Sequence, residues 1–152
     1  MKDKEIKCQF VLVGDIDPIN PASLERSTLE KWQVAKEIEW LGWIDNIEKV
    51  LLETDILCLP SYREGLPKSL VEGAAAGLPL VATDTVGCRE VVIDGQNGFL
   101  VPVKDSVSLA AAIQKLILNS SLRKLMGIET FKIATSKFSS SKINALTLRV
   151  YN

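Results

Sequence analysis

Two glutamates with seven residues between them, Glu64 and Glu72, flank a Gly-Leu-Pro turn in the run Ser61-Tyr-Arg-Glu-Gly-Leu-Pro-Lys-Ser-Leu-Val-Glu72. A carboxylate accepts hydrogen bonds from both oxygens of a vicinal diol, so two of them at one mouth suit a hydroxyl-rich ligand. Pro67 stands where a helix begins. The first amides of a helix lack internal partners and lie at the positive end of its dipole. Gly65 lets a ligand approach the backbone, so a pyrophosphate would find donors at Gly65, Leu66, Lys68 and Ser69, with Pro67 fixing the entry. Glu64, on the turn, is placed for sugar hydroxyls. Glu72 lies about 7.5 Å along the helix from Pro67, at 1.5 Å per residue, and is placed for a second diol such as a ribose. Plainer readings stand beside these. Glu72 follows Lys68 by one turn, the spacing of a weak surface pair, and Glu64 would favour any helix N-terminus. Arg63 is a phosphate contact or, more ordinarily, an exposed arginine. Trp43 is a nucleobase platform or, more ordinarily, a core aromatic closing a strand.

The elements that must position these groups follow from the pattern of apolar runs. Gln9–Gly14 reads as a buried parallel strand ending in a glycine turn. Ser23 caps a helix from Leu24 to about Ala35, and Ile38–Trp43 is a second strand. Asp45 or Asn46 caps a short helix bearing Ile47, Val50 and Leu51 on one face. Asp55–Pro60 is a third strand. A helix from Pro67 to about Ala76 stops at Gly77 and turns Leu70, Val71, Ala74 and Leu78 to one side. Leu80–Thr83 is a fourth strand, Gly87 to Glu90 reads as loop and cap with Arg89 its one site candidate, and Glu90–Ile93 makes a brief helix or turn. Asp94-Gly-Gln-Asn-Gly98 is a turn cluster, and Phe99–Val101 is a fifth strand. Asp105 or Ser106 caps a helix through Leu118, with Leu109, Ala112, Ile113, Leu116 and Ile117 as its stripe. Further helices cover roughly Leu122–Thr135 and Ser141–Tyr151. Apolar strands alternating with helices predict an α/β fold, a Rossmann-like three-layer α/β/α arrangement with a parallel sheet of about five strands. Ligands then bind beyond the carboxyl ends of the strands, where Gly14, Trp43 and the Ser61–Pro67 loop lie.

Composition removes several alternatives. The 152 residues are 47% hydrophobic and 24% charged, carry a net charge of −1 and form one domain, residues 1–152, without an internal linker. No basic block offers a nucleic-acid face. No run approaches the roughly 18–20 apolar residues of a membrane span, and the charged start has no leader character. There is no histidine, so serine–histidine and cysteine–histidine catalysis and most transition-metal sites drop out. The three cysteines, Cys8, Cys58 and Cys88, are scattered, which argues against a disulfide framework or zinc site and for a reducing, cytoplasmic compartment. Gly14-Asp-Ile-Asp-Pro18 lacks the glycine pattern of a dinucleotide-binding oxidoreductase.

Taken together, Glu64-Gly65, Glu72 and Gly77-Leu-Pro79-Leu-Val81-Ala-Thr83 resemble the nucleotide-sugar domain of the family-4 retaining glycosyltransferases, the carboxyl-terminal half of a GT-B fold. Val13-Gly14-Asp15, Leu41-Gly42, Leu59-Pro60-Ser61 and Asp94-Gly95 with Asn97-Gly98 match its other markers, over about Phe10 to Gly127. Tyr62 to Pro67 and Gly87 to Glu90 look like the bacterial branch that builds surface polysaccharide or lipid-linked glycans. The resemblance implies that Glu64 contacts the donor sugar as the catalytic carboxylate, that Glu72 holds the ribose, and that backbone around Gly65–Pro67 carries the diphosphate. It implies a nucleotide-diphosphate sugar as donor, a glycan or lipid-linked acceptor, and no metal or other cofactor. It further implies a cytoplasmic enzyme with room for peripheral association at the inner membrane face. The family's first strand and its Gly-Arg…Lys-Gly segment have no counterpart here, nor has the acceptor domain. The expectation is a fragment that binds donor weakly and does not catalyse transfer alone. A non-catalytic domain that kept the same fold is the competing reading.

Overall fold

Among residues 8–17, 19 and 23–138, which the computed structural model describes, apolar and amphipathic runs give five strands and six helices. Every strand pairing is parallel. The strands form a pair and a triplet, in two units comprising residues 1–47 and 48–152.

The first unit holds β1 (Val11–Val13), α1 (Arg26–Val34) and β2 (Glu39–Gly42). Val11 lies opposite Glu39 and Leu12 opposite Trp40, and a shift in register then sets Val13 opposite Gly42. The Gly14 amide continues the ladder to the Gly42 carbonyl at 2.8 Å. The Trp40 indole donates to the Gly14 carbonyl at 2.9 Å, which fixes the turn leaving β1. Ser23 does not cap α1. Its hydroxyl accepts from the Asp17 amide at 3.2 Å, so the loop uses the oxygen the helix would need, and α1 starts later, behind Glu25.

The second unit begins within α2 (Ile47–Leu52) and contains β3 (Leu57–Leu59), α3 (Lys68–Ala75), β4 (Leu80–Thr83), α4 (Val86–Arg89), β5 (Gly98–Val101), α5 (Ser106–Leu118) and α6 (Ser120–Lys137). β4 is the middle strand, with Leu57 and Gly98 opposite Leu80 on either side. Its side chains alternate between two helical layers. Leu80 and Ala82 meet Leu70 and Ala74 of α3, Cys88 of α4 and Ala134 of α6. Val81 meets Leu116 of α5 and Met126 of α6. Burying a leucine such as Leu70, Leu80 or Leu116, each 0% exposed, contributes about 1.5–3 kcal/mol. The expected stripes of α3 and α5 are the ones that pack here.

Helix ends explain where the elements stop. α3 ends at Gly77, which takes the left-handed φ of +72°. Asp105 and Asn119 cap α5 and α6 through the amides of Ser108 and Leu122, at 3.0 and 2.9 Å. The helix read at Glu90–Ile93 forms instead at Val86–Arg89, where it starts directly after the extended residue Thr85. A helix over Ser141–Tyr151 lies outside the described residues.

Asn97 is the polar node of this unit. It is fully buried, donates to the Val91 carbonyl at 3.0 Å and accepts from the Ile93 amide at 2.7 Å. Its own carbonyl accepts from the Leu80 amide at 3.2 Å and the Thr130 hydroxyl at 3.0 Å. The side chain thus joins the exit of α4 to β5. Asn97→Ala strands the part-buried Ile93 amide and the buried Val91 carbonyl. The expected loss is about 2–4 kcal/mol, read as a lower urea midpoint at unchanged slope.

Candidate functional site

The segment joining β3 to α3 carries Ser61, Arg63, Glu64, Gly65, Leu66 and Pro67, and three neighbours hold it. The Thr83 hydroxyl, at the end of β4, donates to the Ser61 carbonyl. The Lys104 ammonium sits over the Tyr62 ring, 5.5 Å from its centre, a contact worth about 0.5–1 kcal/mol at an exposed site. Gly87 of α4 lies directly against the Glu64 and Gly65 carbonyls. Pro67 is buried and acts as the cap residue of α3, one position before the first helical residue where the sequence placed it.

With proline as cap, no side chain among the described residues hydrogen-bonds the start of α3. The amides of Lys68 and Ser69 have no partner among the described residues, while Leu70 and Val71 bond to the Pro67 carbonyl at 3.1 and 3.2 Å. Glu64 is half-buried, and its carboxylate makes no hydrogen bond or ion pair among the described residues. Glu72 faces Lys68, with Lys68 Nζ 3.4 Å from Glu72 Oε1 and the lysine side chain 88% exposed. An exposed pair of this spacing is worth about 0.3–0.5 kcal/mol, so a ligand diol can displace it at small cost. Arg63 is exposed.

The support for this segment is what the sequence reading missed. Thr83 counted only as a motif letter, and Gly87 and Cys88 only as loop. Gly87 and Cys88 belong to α4, which a fork closes: Arg89 Nε donates to Asp84 Oδ1 at 2.5 Å and Nη2 to Oδ2 at 3.0 Å. Arg89 is therefore spoken for. Cys88 is buried, and burial pushes its thiol above the ordinary range, with the Glu64 charge pushing the same way. The inaccessible Thr85 hydroxyl lies beside that thiol and forms no well-shaped hydrogen bond.

Gly14 and Trp43 stand at the carboxyl ends of β1 and β2 in the first unit. Trp43 is not a core aromatic: it is 77% exposed, because its indole turns out to donate to Asp45 at 3.1 Å. A cavity of about 290 Å³ in that unit opens at the opposite strand ends, around Gln9, Gln33 and Ile38, and takes in none of the candidate residues.

Residues 1–119 match the family described as glycosyl transferases group 1. The chain is 34% identical over 117 residues to the N,N'-diacetylbacillosaminyl-diphospho-undecaprenol alpha-1,3-N-acetylgalactosaminyltransferase of Campylobacter jejuni, covering 77% of this chain and 30% of that one. Sucrose-phosphate synthase of Thermosynechococcus elongatus superposes with a TM-score of 0.83 at 26% identity, over 94% of this chain and 37% of that one. Anabaena HepE, solved in complex with UDP, superposes with a TM-score of 0.84 at 24% identity, over 94% and 40%, which shows the shared fold. The chain spans about 28–41% of the length of the first curated relatives it matches.

The Asp84–Arg89 fork makes the stability of α4 depend on pH. The Arg89 hydrogen bond holds the Asp84 carboxyl below its ordinary 3.8. A carboxyl lowered on folding contributes fully above its unfolded value and loses that contribution as pH falls through the folded one. Asp84→Asn is therefore expected to unfold at lower temperature than wild type at neutral pH. The gap should narrow as pH falls below 3.8 and the Asp84 carboxyl protonates, checked by thermal melts across pH.

Proposed function

We propose, for a chain that belongs to the group 1 glycosyl transferases, that residues 61–72 form the donor site of a retaining enzyme using a nucleotide-diphosphate sugar. One observation carries the reading: the Glu64 carboxylate is half-buried and unpartnered among the described residues, on a segment tied at three points. A charge kept free of protein partners on a fixed backbone is organised for a ligand.

In this reading Glu64 accepts from the sugar hydroxyls and sets the sugar over the breaking bond. The amides of Gly65, Leu66, Lys68 and Ser69 face the diphosphate, with Pro67 shaping the turn and Arg63 and Lys68 adding positive charge. As the bond from the sugar carbon to the phosphate oxygen breaks, negative charge grows on the leaving diphosphate. Fixed amides and the helix dipole stabilise that charge without reorganising. No metal is needed for this step. Glu72 gives up Lys68 for the ribose diol.

Delivery of the sugar to a glycan or lipid-linked acceptor falls to the longer enzyme of which such a domain is part, in bacterial surface-polysaccharide synthesis. The Campylobacter relative, named for a diphospho-undecaprenol acceptor, and the UDP in HepE support these classes. The proposed setting is the cytoplasm, at the inner membrane face. Among the described residues no helix is long and apolar enough to cross a membrane.

Titration of the isotope-labelled chain with UDP, GDP, UDP-glucose and GDP-mannose tests the site. Amide shifts are expected at Gly65–Glu72. Glu64→Gln should weaken the sugar nucleotide about 10- to 100-fold and leave the free nucleotide nearly unaffected, whereas Glu72→Gln should weaken both. Silence across Gly65–Glu72 at millimolar ligand would sink the reading.

A further inference from the structure

Gly87 is the second residue of α4, and its own backbone calls for no glycine. Its surroundings do. A β-carbon there would stand 1.8 Å from the Gly65 carbonyl oxygen, 2.6 Å from the Glu64 oxygen and 2.6 Å from the Gly65 carbonyl carbon. These are backbone atoms, and no change of rotamer can clear them.

We infer that Gly87 is a positioning residue for Glu64: the bare α4 backbone is the surface on which the Glu64–Gly65 peptide rests, and it sets the height of the carboxylate. The inference rests on reading residues 61–72 as the donor site.

Which side yields to an added methyl follows from how each is held. Around Gly87, Cys88 and Val91 are 0% exposed and Val92 1%, all in the core against β4, and the Arg89–Asp84 fork closes the turn. On the other side, Tyr62, Gly65 and Leu66 are exposed. The segment therefore moves and the helix stays. Restoring ordinary contact distance needs a displacement of about 1.5 Å or more, and a misplacement of about 1 Å can reduce turnover roughly 100-fold. For the helix alone the change is favourable, since alanine is the better helix former. Local propensity and site geometry thus predict opposite outcomes.

The test compares amide spectra of the 152-residue chain as wild type, Gly87→Ala and Val86→Ala, each titrated with UDP-glucose and GDP-mannose. Val86 is 76% exposed on the same helix and gains the same kind of propensity, so it serves as the control. Expected for Gly87→Ala are shifted amides over Ser61–Ser69 without ligand, unshifted amides in α5, and at least about tenfold weaker sugar-nucleotide binding. Val86→Ala should leave the Ser61–Ser69 amides and the affinity unchanged. Unmoved amides in Gly87→Ala overturn the inference whatever the ligand does. Moved amides with unchanged affinity overturn the link to the site. A wild-type chain that binds neither sugar nucleotide defeats the donor-site reading itself, and this inference with it. Should Gly87→Ala fail to fold, Asp84→Asn releases α4 from its fork without adding volume. It must then shift the same amides, and their staying in place counts against the positioning role.

Discussion

A parallel strand with helices on both sides has to be apolar along its whole length, and β4 satisfies this with Leu80, Val81, Ala82 and Thr83, none more than 3% exposed. Both its edges are used by β3 and β5, and both its faces are covered by helices. Nothing about the strand is free to adjust. The residues at its carboxyl end inherit that rigidity, which is why Thr83 can anchor Ser61 and Asp84 can receive Arg89. The segment is built outward from the most completely buried strand of the unit.

The segment at that mouth contributes little to its own order. Its residues are small, polar or exposed, and its shape comes from the neighbours that hold it: a threonine hydroxyl below, a lysine over a tyrosine ring, and the bare backbone of α4. This division suits a binding site. The groups proposed to meet a ligand keep their polar atoms without partners among the described residues, and the neighbours outside the segment carry the cost of holding them so. The electrostatics are divided in the same way. Arg89 is committed to Asp84, whereas the Lys68 and Ser69 amides and the Glu64 carboxylate have no partner among the described residues. Glu72 is held only weakly.

Core faces were legible in the chain because they follow from period. The stripes of α3 and α5 and the runs of β3 and β4 place their residues where the packing has them, and the stop at Gly77 has its expected cause. Ends were less legible. Ser23 is a good cap by type, yet a neighbouring loop amide claims its hydroxyl. α4 begins four residues before the position read for it, because Cys88, Val91 and Val92 find a core that local pattern does not reveal. Trp43 was misjudged for the opposite reason: an aromatic beside a strand lacks cover when its indole has a polar partner two residues away.

By itself the sequence determined the alternation of parallel strands and helices, the location of the acidic turn before an uncapped helix, and the family to which those spacings belong. All of these are properties of neighbours in the chain, carried by period, turn chemistry and helix-end chemistry. Only the tertiary structure decided what bears on that turn from a distance. Thr83, Gly87 and Lys104 lie between about 20 and 40 residues further along, and contact at that separation depends on how strands and helices stack, which no local pattern of side chains encodes.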